Sequence, residues 1–104
     1  MAGKTVKFEG KIKVGDNYSA KDLLGLLKYL SEDEGFSIKK LKSDEIKLEK
    51  NEFVHEHEGD IEIAKSNVNI EIEIEVSDSE LEVEVESVNF DLVRDLTAKI
   101  ADRL

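Results

Sequence analysis

Val6, Phe8, Ile12 and Val14 alternate with Lys7, Glu9, Lys11 and Lys13, the period-two signature of a strand with one buried and one wet face. Gly10 falls on the buried phase and is read as a bulge. Gly15-Asp16-Asn17 closes the strand, and Ser19 followed three residues later by Asp22 marks a helix N-cap with an acidic first turn. Within that helix Leu23, Leu26, Leu27 and Leu30 share one face, Lys21, Lys28 and Glu32 lie elsewhere, and Gly35 supplies the stop. Gly25 sits on the outer face, where it costs helix stability for no return visible in the sequence.

From Phe36 to Val88 the pattern is strand-like almost throughout. Phe36 to Lys42 and Glu45 to Glu49 form two short strands around Ser43-Asp44, and Phe53 to His57 and Asp60 to Ala64 flank Gly59. The clearest element follows: Ile70, Ile72, Ile74 and Val76 alternate with Glu71, Glu73 and Glu75, and Leu81, Val83 and Val85 alternate with Glu80, Glu82, Glu84 and Glu86. Asn89 then caps a final helix whose Phe90, Val93, Leu96, Ile100 and Leu104 share a face, with Asp91 in its first turn and Arg103 in its last.

Each strand is apolar on one face and each helix carries one apolar stripe, so the chain is predicted to be α+β. The expected architecture is a single antiparallel sheet of about six to seven strands, with the two helices, one after strand one and one at the C-terminus, packed on its apolar face. This order resembles a shortened form of the helix-grip arrangement of START-like and Bet v 1-like domains, which implies a curved sheet gripping the C-terminal helix and strand one lying beside the last strand. The chain of 104 residues is expected to be a single domain, residues 1–104, because halves of it would bury too little surface.

Composition narrows the function classes. A hydrophobic fraction of 39%, carried mainly by Ile, Leu and Val, is enough for a packed core and unlike that of a disordered chain of the same charge. There is no Cys, hence no disulfide framework, thiolate nucleophile or Cys-type zinc site. The N-terminal segment has no apolar h-region and no stretch reads as a membrane span, so a cytoplasmic location is expected. The net charge of −10, from 25 acidic and 15 basic residues, opposes direct binding to nucleic acid or to a membrane and points to basic or apolar partners. The absence of Gln and Cys and the Glu/Lys-rich surface resemble the composition of thermostable proteins.

The acidic hairpin can be registered from the sequence, since directly opposed residues share a face and the apolar sets must meet. A two-residue turn at Asp78-Ser79 pairs Val76 with Leu81, Ile74 with Val83 and Ile72 with Val85. The same register opposes Glu75 to Glu82, Glu73 to Glu84 and Glu71 to Glu86, a ladder of like charges that asks for a compensating neighbour. Three answers are compatible with it. Lysines of adjacent strands, Lys7, Lys11 and Lys13 above all, neutralise an exposed face. Alternatively the face of Glu71, Glu73, Glu75, Glu82, Glu84 and Glu86 takes up a divalent cation or a basic protein segment, or it mimics a nucleic-acid backbone.

His55-Glu56-His57 places two imidazoles on one strand face, roughly 7 Å apart by strand rise. With Glu62 five residues on, His55, His57 and Glu62 resemble the His-x-His-x4-Glu start of the cupin metal motif. That resemblance implies a site for Fe(II), Mn(II) or Zn(II), and the third histidine of the cupin pattern has no counterpart, since the chain contains two. Gly3-Lys4-Thr5 matches the end of a phosphate-binding loop but lacks the preceding strand and the following helix. No nucleophile elbow or dinucleotide fingerprint occurs, and the four Phe read as core. The expectation is a non-enzymatic protein without a cofactor that acts through a protein partner or by self-association. Binding of a small apolar ligand in a helix-grip pocket is the alternative, and metal binding at the His-x-His strand is a further one.

Overall fold

The computed structural model describes residues 6–15 and 18–104, with the side chains of Glu56 and Ala64 left aside. Gly3-Lys4-Thr5 and the Asp16-Asn17 part of the first turn lie outside the described residues. The order is β1 (Phe8–Val14), α1 (Ala20–Lys28), a π-helical turn (Tyr29–Asp33), β2 (Ser37–Leu41), β3 (Glu45–Glu58), β4 (Ile61–Val76), β5 (Leu81–Ser87) and α2 (Phe90–Ala101). It is α+β, with an antiparallel sheet and two helices. Among the described residues the sheet has five strands in the order β1-β5-β4-β3-β2.

Five strands replace the six or seven expected because two pairs of short segments are continuous. Glu45 to Glu49 and Phe53 to His57 are one strand; the segment expected over Asp60 to Ala64, whose Asp60 stays in the turn, is one strand with Ile70 to Val76. The polar residues between them, Lys50-Asn51-Glu52 and Lys65-Ser66-Asn67, interrupt the hydrophobic alternation but not the backbone ladder, which needs no apolar side chain and meets no proline here. Asn51 and Asn69, directly opposed, bridge the join through an Asn69 Nδ2 to Asn51 Oδ1 hydrogen bond of 3.2 Å.

The helices start where their caps direct. The Ser19 hydroxyl accepts from the Asp22 amide and the Asp22 carboxylate accepts from the Ser19 amide, both at 3.2 Å, satisfying two otherwise orphaned donors. Asn89 Oδ1 accepts from the Leu92 amide at 3.0 Å. After α1 the chain widens into the π-helical turn, then reverses at Gly35, whose φ of +76° favours glycine.

Both helices cover the apolar face of the sheet. Leu26 and Leu30 from the first helical segment and Val93, Leu96 and Ile100 from α2 close over Ile46, Leu48, Ile70, Ile72, Ile74, Leu81, Val83 and Val85. Gly10 does not make a bulge, since its pairing with Val85 is in continuous register. Its reason is close approach: a Cβ there would lie 2.1 Å from Thr97 Oγ1, so α2 rests against the bare backbone of β1. Thr97 Oγ1 is itself buried without a hydrogen-bond partner. Nothing in the structure explains Gly25, around which a Cβ would meet open space.

Glu34, just past the π-helical turn, ties three elements together beside Phe36. The Tyr29 hydroxyl donates to Glu34 Oε1 at 2.5 Å. Lys50 of β3 donates to the Glu34 carbonyl at 2.7 Å and lies 3.6 Å from its carboxylate, and Lys99 of α2 is 3.5 Å away. Burial works to raise the Glu34 pKa, but the Tyr29 hydrogen bond and the charges of Lys99 and Lys50 outweigh it and hold the carboxyl below its usual value.

Candidate functional site

The face of the sheet turned away from the helices carries the acidic ladder in the register read from the sequence. Glu75 opposes Glu82, Glu73 opposes Glu84 and Glu71 opposes Glu86, while Ser77 and Glu80 close the two-residue turn through a 2.9 Å backbone hydrogen bond. Strand β1 lies beside β5 and sets Lys13 opposite Glu82, Lys11 opposite Glu84 and Glu9 opposite Glu86. Lys7 reaches Glu86 at 3.2 Å and Lys13 reaches Glu80 at 3.9 Å. A second lysine row, not foreseen, comes from the other side: Lys47 of β3 opposes Glu73 and Lys40 of β2 opposes Lys47. Lys40 pairs with Glu45, and Lys39 and Lys47 line a shallow groove with Glu71, Glu73 and Glu86.

Compensation is incomplete. A hydrogen bond shared with Glu73, then burial and the charges of Glu73, Glu82 and Glu45, raise the pKa of Glu75. Burial and the charge of Glu9 raise that of Glu84 against the opposing effect of Lys11. Carboxylate oxygens converge within 4.8 Å in two triplets among the described residues, Glu9-Glu84-Glu86 and Glu45-Glu73-Glu75. Both are row neighbours of the ladder, brought together by register rather than by a cavity.

The second feature is an arm. Strand β5 ends at Ser87, opposite Ile70 on one side and Phe8 on the other, and β2 pairs β3 only as far as Glu49. Beyond these points β3 and β4 continue as a two-stranded ribbon to the Gly59 turn, paired with each other and with no other strand among the described residues. Phe53, Ile61 and Ile63 on this ribbon are 59%, 70% and 58% exposed. At its root, where β5 stops, Phe8 and Phe90 meet edge to face at 5.4 Å, and Val6, Val88 and both rings are also exposed. Of the four Phe expected in the core, only Phe36 is buried there. The other three are exposed, a distinction that residue type alone does not carry.

The arm also brings the predicted histidine group together. The rings of His55 and His57 stack with centroids 6.4 Å apart and planes at 21°. A register shift after Glu56 sets Glu62 opposite His57, and Glu62 Oε1 lies 2.8 Å from His55 Nδ1. The spacing of these residues was visible in the sequence; the shift that pairs them was not.

Among the described residues no helix is long and apolar enough to cross a membrane. No protein-family profile matches the chain, and no curated protein or solved structure shows significant similarity to it. The class is thus that of an antiparallel α+β protein with an acidic sheet face and a protruding ribbon.

Proposed function

We propose that the protein is a non-enzymatic binding module that takes up an extended, basic and partly apolar segment of a protein partner along the free edge of β4. The observation that carries this reading is the run of β4 past the end of β5: from Ile61 to Val68 alternate N–H and C=O groups have no ladder partner on that side among the described residues, and the Asn69 carbonyl, which accepts from Ser87 Oγ at 2.9 Å, marks where the open edge begins. A strand added there would continue the line of β5 and pair through main-chain hydrogen bonds, the mode of β-augmentation. Its apolar side chains would meet Ile61 and Ile63, and its leading end would meet Phe8, Val88 and Phe90 at the root. Charge selects the occupant. Glu52, Glu58, Asp60 and Glu62 make the arm acidic, the ladder adds to the field, and the net charge of −10 disfavours a second copy of the chain.

The helix-grip likeness is supported by the neighbourhood of β1 and β5 and by α2 packing on both. A ligand-binding variant of that arrangement would need room between α2 and the sheet, where Val83, Val85 and Ile100 are wholly buried and Thr97 rests on Gly10. The strand-addition reading therefore takes precedence.

The test is an NMR titration with a ten-residue peptide of alternating Lys and Val and with its Glu/Val counterpart. The Lys/Val peptide is expected to bind with a dissociation constant in the micromolar range, weakened by salt, and to protect amides from Ile61 to Val68. Ile63→Lys, which adds a like charge at the edge, should reduce binding at least tenfold. Equal binding of both peptides, protection on other elements, or a concentration-dependent mass of the free protein by light scattering would refute the reading.

A further inference from the structure

The histidine group at the end of the arm is independent of strand addition, and its geometry is more specific than its spacing. We propose that His55 and His57, buttressed by Glu62, form an open site for a borderline divalent transition metal such as Zn²⁺, Ni²⁺ or Cu²⁺. Two residues apart on one strand, the histidines project to the same face, and their rings lie nearly parallel with centroids 6.4 Å apart. With metal–nitrogen bonds of about 2.0–2.1 Å, a pair of imidazoles on one tetrahedral ion has centroids about 5 Å apart. The rings need to lean together by roughly 1 Å, a small rotation for exposed side chains.

Two further observations assign roles. The register shift between Glu56 and His57 replaces Ile63 by Glu62 as the residue opposite His57. Such irregularities re-aim side chains, and here the result is a carboxylate instead of an isoleucine beside two imidazoles. Glu62 accepts from His55 Nδ1 at 2.8 Å, so the Nδ1 carries the proton and the Nε2 lone pair is left for an ion. This is the carboxylate–histidine–metal relay that orients a ligand and strengthens it as a base. Lys65, opposite His55, does not compete for the space, because its ammonium lies over the Phe53 ring, 4.9 Å from the centroid. His55 and Glu62 are 44% and 43% exposed, so an ion reaches the nitrogens from solvent and water completes its shell. Two nitrogen ligands select a borderline metal over Ca²⁺ or Mg²⁺, which take oxygen shells.

The experiment is a Zn²⁺ titration of the full, untagged chain, followed by calorimetry and by the imidazole ¹⁵N resonances. One ion per chain is expected, with the Nε2 signals of both His55 and His57 displaced and no competition from equimolar Ca²⁺. His57→Ala should weaken binding at least tenfold and Glu62→Gln by 10- to 100-fold, with melting temperatures unchanged because these residues lie on the exposed ribbon. Glu84→Gln on the sheet face should leave the affinity as it is. Full-strength binding by His57→Ala, imidazole signals that do not move, or loss of binding in Glu84→Gln would overturn the assignment. Peptide binding at the β4 edge is read separately, so either result can fail alone.

Discussion

Gly10 and Thr97 form a point of close contact between β1 and α2. A methyl group at Gly10 would fall 2.1 Å from Thr97 Oγ1 and within about 3 Å of the rest of that side chain, so Gly10→Ala forces α2 off β1 and should cost about 1–3 kcal/mol. Thr97→Ala alone should be nearly neutral, because it removes a buried hydroxyl that has no partner. The double variant should then recover most of the Gly10→Ala loss, a non-additivity measured by urea unfolding of the four proteins. Additive losses would mean that Gly10 acts through backbone freedom alone. The sequence placed Gly10 on the buried phase of its strand but could not tell a bulge from a helix lying close, since the helix that fills the space is more than eighty residues away.

At the scale of elements, the hairpin of β4 and β5 was legible almost entirely. Strict alternation fixes the face of every residue, and a two-residue turn fixes register, so the three Glu pairs followed from local pattern. The lysines of β1 were also placed beside the ladder. Lys39, Lys40 and Lys47 were not, because β2 and β3 are short or irregular in pattern and their neighbours depend on the whole sheet.

The carboxyls give opposite pH responses. Glu75 and Glu84 have raised folded-state values, so their stabilising protonation is fully present below the ordinary carboxyl value of 4.5 and is lost as pH rises through the folded values; at neutral pH they are a liability. Glu34 has a lowered value, so its contribution is present above 4.5 and is lost as pH falls through that lowered value. Glu75→Gln should therefore raise the melting temperature at pH 7 by an amount that shrinks toward pH 4.5. Glu34→Gln, which removes the carboxylate shared by Lys99 and Lys50 and leaves Lys50 only Glu52, 3.5 Å away, should cost about 1–2 kcal/mol at pH 7. That loss should fade only below pH 4.5. Melting curves of the three proteins between pH 3 and 8 check both slopes.

For the whole molecule, the Cα radius of gyration is 15.4 Å and the extents are 49 × 32 × 21 Å, against about 13 Å for a compact chain of this length. The excess is the arm. Among the described residues no buried core residue lies between Asn51 and Asn67, so replacing Phe53 to Asn67 by Asn-Gly, which suits a tight turn between Glu52 and Val68, should preserve the fold. The shortened chain is expected to melt within a few degrees of the parent and to scatter X-rays as a more compact particle. It should also lose both peptide and Zn²⁺ binding. Unfolding of this variant would show that the arm contributes to the core. The sequence hid this division because Lys50-Asn51-Glu52 and Lys65-Ser66-Asn67 read as breaks between short strands, and Phe53 reads as interior. Only the lengths of the neighbouring strands reveal which part of the ribbon is covered.

A ribbon built this way has adjustable reach. Adding or removing two residues in each strand would move the tip by about 7 Å while returning every side chain to its original face. The paired Asn51 and Asn69 mark the seam at which such changes begin. The span between the helix-covered base and the histidine tip can thus vary among descendants of this chain without a single change to the residues that keep it folded.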